Sequence, residues 1–245
     1  MTPPSAIIIG ASSGIGRALS KELASLGWGV IAAARRIEML DSLKNAFPEQ
    51  IATMEMDVLN LDRTLETMDQ FFREANRIDL VVINAGVGEI NLPLNLEEDL
   101  QMIDTNARSF AALASVSFRQ FALQGSGHIA GITSISAERA GPGIAYTASK
   151  AFASRYLDGL RLKAFGERKD IAITDIRPGF VDTDMIDKET AFWVAPLDKA
   201  AKQIANAIIR KKKVANITKR WRLISWLFKL LPERIYAKLV YSKRS

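Results

Sequence analysis

The chain has 245 residues, 48% of them hydrophobic, which is enough for one sizeable core. It has no cysteine, which excludes a disulfide framework and any Cys-based metal site, and its only histidine, His128, leaves Ser-His-Asp catalysis no other base. The net charge of +6 is unevenly spread: Arg210 to Ser245 hold 12 Lys or Arg against Glu233 alone, a balance of +11, while residues 1–209 carry 21 bases against 26 acids, or −5.

Short apolar runs alternate with longer amphipathic ones along the chain. The pattern predicts a strand at 5–10, a helix at 16–27 ended by Gly27, a strand at 29–34 and a helix at 37–47 stopped by Pro48. A strand at 51–56 precedes a helix at 61–75, with Leu61, Leu65, Met68 and Phe72 on one face. Further strands are predicted at 78–84, 127–133, 171–176 and 213–217, and helices at 99–123, 146–165 and 198–212. His128 follows a Gly-Ser-Gly turn and reads as a strand-start residue. The expected fold is α/β: a Rossmann-like, doubly wound parallel sheet of about seven strands with helices on both faces. The catalytic unit is expected over 1–218, with 219–245 as a basic amphipathic helical extension of the same domain. The N-terminus has no charged leader and no run reaches the ~18 apolar residues of a membrane span, so a cytoplasmic location is expected.

In a doubly wound sheet, ligands bind beyond the carboxyl ends of the strands, so chemistry is sought there. The first strand runs into "GASSGIGR", with glycines at 10, 14 and 16 and a helix following at once, a loop suited to cradle a pyrophosphate. The second strand ends "AAARR". Ala34 stands where an acid would bind a ribose 2′-OH, and Arg35 and Arg36 follow, which favours NADP(H) over NAD(H). Two solvated arginines opening a helix are the plain alternative. Asp57 follows the third strand, "NAG" (Asn84-Ala85-Gly86) the fourth, and "TSIS" the fifth. Asn106 lies inside the long helix, where Asn is a poor helix former and can bend the helix or bind water. Tyr146 and Lys150, four residues apart, share one helix face. That spacing alone arises by chance in about one chain in four of this composition. Pro178-Gly179 forces a turn after the sixth strand, and Thr183 follows.

With these residues in this order, residues 5–217 resemble the short-chain dehydrogenases/reductases, and their length and GxxxGxG spacing resemble the short, single-domain branch. Carried over residue by residue, the resemblance implies a catalytic set of Ser134, Tyr146, Lys150 and Asn106. It implies cofactor contacts from Gly10, Ser12, Ser13, Gly14, Ile15, Gly16, Arg35, Arg36, Asp57, Val58, Asn84, Ala85, Gly86, Tyr146, Lys150, Pro178, Gly179, Val181 and Thr183, and no metal. Two departures stand out. Ile9 replaces the family's frequent Thr before the first glycine. The family's serine sits thirteen residues before the tyrosine, where this chain has Thr133, and Ser134 lies twelve before; Ser134 is assigned, with Thr133 and Ser136 as alternatives.

A free tyrosine has a pKa near 10. A neighbouring Lys⁺ and the positive nicotinamide ring are expected to pull it down, so that Tyr146 exchanges a proton with a carbonyl or alcohol oxygen that Ser134 also binds. By the resemblance, Lys150 binds the nicotinamide ribose and Asn106 holds a water that relays protons to Lys150. The implied activity is hydride transfer between NADP(H) and a ketone/secondary alcohol pair. The alternative is a catalytically silent cofactor-binding regulator or scaffold.

Residues 184–196 follow the Pro-Gly turn, and Met185, Ile186, Phe192 and Trp193 would form an apolar lid over a hydrophobic substrate, or simply pack. In the family the helices at 99–123 and 146–165 commonly build a dimer or tetramer interface, so a homodimer or homotetramer is expected. Residues 219–244 mix Trp221, Leu223, Ile224, Trp226, Leu227, Phe228, Leu230 and Leu231 with Arg220, Arg222, Lys229, Arg234 and Lys238, and Pro232 divides them into two short helices. This segment suits either peripheral contact with an anionic membrane or packing on the protein. Nucleic-acid binding is not expected, because no matching basic surface appears elsewhere in the chain.

Overall fold

The structure, a computed structural model, describes residues 3–75, 77–186, 191–218, 220, 221, 223 and 230–241. Seven strands form one sheet: β1 (Ser5–Ile9), β2 (Gly29–Ala34), β3 (Ile51–Glu55), β4 (Leu80–Ile83), β5 (Ser126–Ile132), β6 (Asp170–Pro178) and β7 (Val214–Ile217). Every pairing is parallel and the order is β3-β2-β1-β4-β5-β6-β7. The order reverses between β1 and β4, so the loops leaving these two strands part and open a crevice at their carboxyl ends. The helices are α1 (Gly14–Ser25), α2 (Glu38–Ala46), α3 (Leu61–Glu74), α4 (Leu96–Ile103), α5 (Ser109–Gln124), α6 (Ile144–Gly166), α7 (Leu197–Ile209) and α8 (Glu233–Tyr241).

The central strands are apolar throughout because both faces are covered. Along β1, Ala6 and Ile8 join a core with Leu19 and Leu23 of α1, Leu40 and Leu43 of α2 and Ile204 of α7. The alternate residues Ile7 and Ile9 join a second core with Met68 of α3, Phe110 and Leu113 of α5 and Leu157 of α6. The strand period of two thus divides one apolar run between two helical layers. Gly27, at φ +83, ends α1 as the sequence suggests.

The long helix expected over 99–123 is not continuous. A π turn, Asp104–Arg108, separates α4 from α5 and contains Asn106. The cause is a set of side-chain bonds that compete with the helix ladder. Asn106 Oδ1 accepts from Val87 N at 2.9 Å and Nδ2 donates to Val87 O at 2.8 Å. Thr105 and Ser109 hydroxyls donate back to the carbonyls of Gln101 and Thr105 at 2.9 and 2.6 Å.

In the C-terminal segment, residues 222 and 224–229 of the first expected helix lie outside the described residues. Trp221, at 1% exposure, is buried against Phe180, Phe192 and Trp193 with ring centroids 5.2–6.2 Å apart. Beyond Pro232, Tyr236 of α8 donates to Ala140 O at 2.8 Å, and Arg139 stacks 3.9 Å from its ring centroid while donating to Leu231 O at 2.8 Å. Leu223, Leu230, Ile235, Leu239 and Tyr241 remain exposed. Among the described residues no helix is long and apolar enough to cross a membrane. If Trp221 anchors this segment to the core, Trp221→Ala lowers stability by ~3–5 kcal/mol, read from the urea midpoint; a loss below about 1 kcal/mol would detach the segment from the core.

Candidate active site

The loop leaving β1 is shaped by two glycines. Gly10 has φ +90, and a Cβ there would stand 2.6 Å from Ala85 N. A Cβ on Gly16 would stand 2.2 Å from Gly10 O and 2.5 Å from Asn84 Nδ2. Asn84 Nδ2 donates to Gly10 O at 2.7 Å, so the "NAG" turn after β4 fixes the glycine loop from across the crevice. The first turn of α1 has no acid, and Ser13 at its N-cap makes no side-chain capping bond. Its amide groups and dipole are therefore left for an anion, which fits the pyrophosphate of a dinucleotide. Ser12, Ser13 and Ile15 line this loop. Thr183 reaches it from the β6 side: a Cβ on Gly14 would lie 3.3 Å from Thr183 Cγ2.

At the end of β2, Arg35 and Arg36 are both exposed, and Arg36 Nη2 donates to Ser12 Oγ at 3.3 Å, bringing a guanidinium across the glycine loop. Past β3, Asp57 caps its own turn by accepting from Leu59 N at 3.1 Å, and Val58 is buried. Pro178 ends β6, Gly179 N donates to Ile217 O at 2.6 Å, and Val181 bridges to Ala195.

Ser134, Tyr146 and Lys150 come together at the floor of the crevice. Ser134 Oγ accepts from Ser136 N at 3.1 Å and lies close enough to the Tyr146 hydroxyl to act on its pKa. Lys150 Nζ donates to Ile132 O at 3.1 Å and lies 5.8 Å from the Tyr146 ring centroid. The three serine candidates separate by direction. Thr133 turns away from the crevice and donates to Asp175 Oδ1 at 2.5 Å, Ser136 serves Ser134 through its backbone, and Ser134 faces the phenol.

The electrostatics differ from the sequence expectation. Burial of the hydroxyl pushes the Tyr146 pKa up, opposed by the Ser134 hydrogen bond, so the chain alone does not lower the phenol. Burial also brings Lys150 down to about 8, with Asp175 acting the other way. Desolvation outweighs the Ser134 hydroxyl for the half-buried Tyr146, and the Asp175 charge for the buried Lys150. The Asn106 amide is likewise committed, to Val87 and, at 3.2 Å, to Ser149 Oγ. His128 takes no part: it bonds Thr174 Oγ1 at 2.7 Å inside the sheet, and burial, then Lys211, lower it to about 4, so it is neutral at pH 7.

On the substrate side, a Cβ on Gly88 would lie 2.9 Å from Met185 Sδ and 3.0 Å from Tyr146 Cε2, so Met185 stands over the phenol. Phe180, Phe192 and Trp193 continue this apolar border, and residues 187–190 of the expected lid lie outside the described residues. An open groove of about 770 Å³ lies elsewhere, between the start of α3 and α4, lined by Leu59, Leu61, Leu96, Leu100 and Arg108. Sequence reasoning missed Gly88, Arg139 and Tyr236, and the group formed by the buried Asp175 with the half-buried Arg177 and Glu138. Only the last left a signal, two charges in the otherwise apolar strand "IAITDIRP".

Comparison with known proteins places the chain in a family and agrees with its fold. The profile of the family described as short chain dehydrogenase matches residues 4–192. An uncharacterized oxidoreductase of Myxococcus xanthus is 38% identical over 191 residues, 76% of this chain and 75% of its own. An uncharacterized oxidoreductase of Mycobacterium tuberculosis is 31% identical over 241 residues, 94% of each chain. A Sphingobium yanoikuyae short-chain dehydrogenase, solved in complex with NADPH, superposes with a TM-score of 0.78 at 22% identity over 94% of this chain and 97% of its own. The chain belongs to the short chain dehydrogenase family and is an NAD(P)-dependent oxidoreductase.

Proposed function

We propose that this chain is an NADP(H)-dependent oxidoreductase of a hydrophobic ketone/secondary alcohol pair. The observation that carries the reading is the convergence of Ser134, Tyr146 and Lys150 beneath Met185, at the crevice floor. The cofactor, when bound, supplies the hydride. Gly10, Gly14 and Gly16 with the α1 N-terminus would hold its pyrophosphate, Asn84 to Gly86 and Pro178 to Thr183 its nicotinamide half, and Asp57 and Val58 its adenine end. Arg35 and Arg36, with Ser12, would clasp a 2′-phosphate, which needs positive charge where an acid would repel it.

Ser134 orients the substrate oxygen, and Tyr146 gives it a proton in reduction or removes one in oxidation. Burial keeps the phenol protonated, and a positive charge beside it favours both donation of that proton and its reversal. Lys150 provides one such charge and retains ammonium donors for ribose hydroxyls. Asn106 braces the loop at Val87, and a water at this end of the crevice would relay protons to Lys150. Phe180, Met185, Phe192 and Trp193 favour an apolar substrate. No observation favours the silent-scaffold alternative.

Tyr146→Phe keeps the ring and removes the proton. Turnover is expected to fall at least ~100-fold with NADPH affinity largely kept, and near-normal turnover in a carbonyl panel would defeat the assignment. Arg35→Asp is expected to weaken NADPH by ~1–3 kcal/mol and NADH far less. Equal losses in a fluorescence titration would remove Arg35 from the 2′-phosphate site. We also propose self-association through exposed apolar residues of α4 and α6, Leu96, Leu100, Ile144 and Phe152. Light scattering is expected to give a multiple of the chain mass, and a monomer would count against it.

A further inference from the structure

Behind the crevice floor lies a second polar group that the proposed chemistry does not use. Asp175 is 0% exposed. Its Oδ1 accepts from Thr133 Oγ1 at 2.5 Å, and its Oδ2 accepts from Ser154 Oγ at 2.8 Å and Arg177 Nε at 2.7 Å. Arg177 Nη2 also donates to Ser154 Oγ at 2.8 Å, and Nη1 pairs with Glu138. A carboxylate stripped of water is tolerated only when paired and fully bonded, and even then such groups give little stability over apolar packing. Stability is therefore a weak account of this cluster.

Its partners suggest a better one. Thr133 immediately precedes Ser134. Ser154 sits one helical turn beyond Lys150. Arg177 immediately precedes Pro178-Gly179. Glu138 lies between Ser134 and Tyr146. Three segments that must keep a fixed relation for the site to work converge on one carboxylate, and Glu138 joins them through Arg177. The charged groups around it are Arg177 on its own strand, Glu138 from the loop after β5 and Lys150 from α6, the last biased toward its charged form by Asp175. From β5 comes the neutral Thr133, and from β7 the backbone carbonyl of Lys213, which accepts from Asp175 N at 3.0 Å.

We propose that Asp175 is a positioning residue of this active site: through Thr133, Ser154 and Arg177 it holds Ser134, the Tyr146–Lys150 helix and the Pro178-Gly179 turn in one frame, and it is the counter-charge of the Lys150 ammonium. The proposal rests on the assignment of Tyr146 and Lys150 given above. Asp175→Asn keeps the volume and removes the charge. Two measurements on the full chain test it. The first is the pH dependence of Lys150 acylation by limiting acetic anhydride, followed by peptide mass spectrometry, which needs no turnover. The second is the pH profile of kcat with NADPH and a carbonyl substrate, with KM for NADPH alongside.

The Lys150 midpoint is expected to fall by about one pH unit in Asp175→Asn. Since the ammonium is the competent form, the alkaline limb of kcat moves to lower pH. At pH 7, where the ammonium fraction goes from about nine-tenths to about one half, kcat drops about twofold, and at pH 8 about fivefold, while KM for NADPH stays within twofold. Arg177→Met leaves the carboxylate without its cation, so the Lys150 midpoint rises while kcat still falls. A purely structural role would lower the melting temperature of both variants and leave the Lys150 midpoint in place, and that result overturns the proposal. Should Asp175→Asn fail to fold, Ser154→Ala and Thr133→Val each remove one bond to the carboxylate. Each is expected to lower kcat at least threefold, and unchanged kcat in both overturns the positioning role. Should Tyr146→Phe prove active, the site assignment fails, while the acylation titration still reports whether Asp175 and Lys150 are coupled.

Discussion

Lys150 carries an ammonium into a place where it is only 7% exposed, and much of the surrounding architecture answers to that placement. A buried cation is disfavoured unless donors and charges around it compensate. One of its N–H groups goes to the carbonyl of Ile132 at the end of β5. Room for it comes from the "NAG" turn, where a Cβ on Gly86 would stand 3.2 Å from Nζ and 3.0 Å from Asn106 Oδ1. That turn keeps its place because Asn106 grips both polar groups of Val87, and Asn106 can reach them because a π turn interrupts the helix. A feature that looks like a helix defect is thus a consequence of seating a charge.

The sheet supplies the coordinates for all of this. Parallel strands bring their carboxyl ends to one edge, so residues far apart in sequence meet without long loops. Asn84, following β4, bonds the carbonyl of Gly10, following β1, across 74 residues. Thr183, past β6, comes back to face Gly14. The glycine loop is therefore less a flexible element than a clamped one, held from both sides before any anion arrives. This is the preorganisation that a phosphate site on a helix N-terminus requires.

The strands, their order of polar punctuation and the residues just past them were legible in the sequence because a doubly covered parallel sheet writes itself as short, continuous apolar runs. What was not legible depends on direction or on distant contacts. Spacing alone left Thr133 and Ser136 as rivals of Ser134. Adjacent residues leaving an extended strand point to opposite sides, which sends one hydroxyl to Asp175 and the other to Tyr146. Asn106 marked a place where the helix could bend, but the partner that its amide grips, Val87, lies 19 residues away and was not legible. The upward shift of the phenol was invisible for a different reason: a Tyr-x-x-x-Lys pattern displays a charge and conceals the burial that raises the phenol. Asp175 and Arg177 were in plain view as charges inside an apolar strand, yet their partners, 21 to 42 residues away, exist only in the fold.

The family profile ends at residue 192, and the segment past it engages both sides of the crevice. Trp221 fills the space over Gly179, where a Cβ would be 2.2–2.4 Å from the indole, and it meets Phe180 and Phe192 edge-on or tilted. Arg220 donates to Trp193 O at 2.7 Å and stacks 5.3 Å from that ring. Trp193 itself is held at φ 53, a conformation an aromatic residue adopts only when its surroundings impose it. On the far side, Tyr236 and Arg139 join α8 to the loop between Ser134 and Tyr146. The backbone on either side of the reacting position is therefore packed against one basic, aromatic segment. Its residues occupy volume beside the Pro178-Gly179 turn, as Gly10 and Gly16 leave volume at the end of β1, so side-chain size on both sides shapes the crevice.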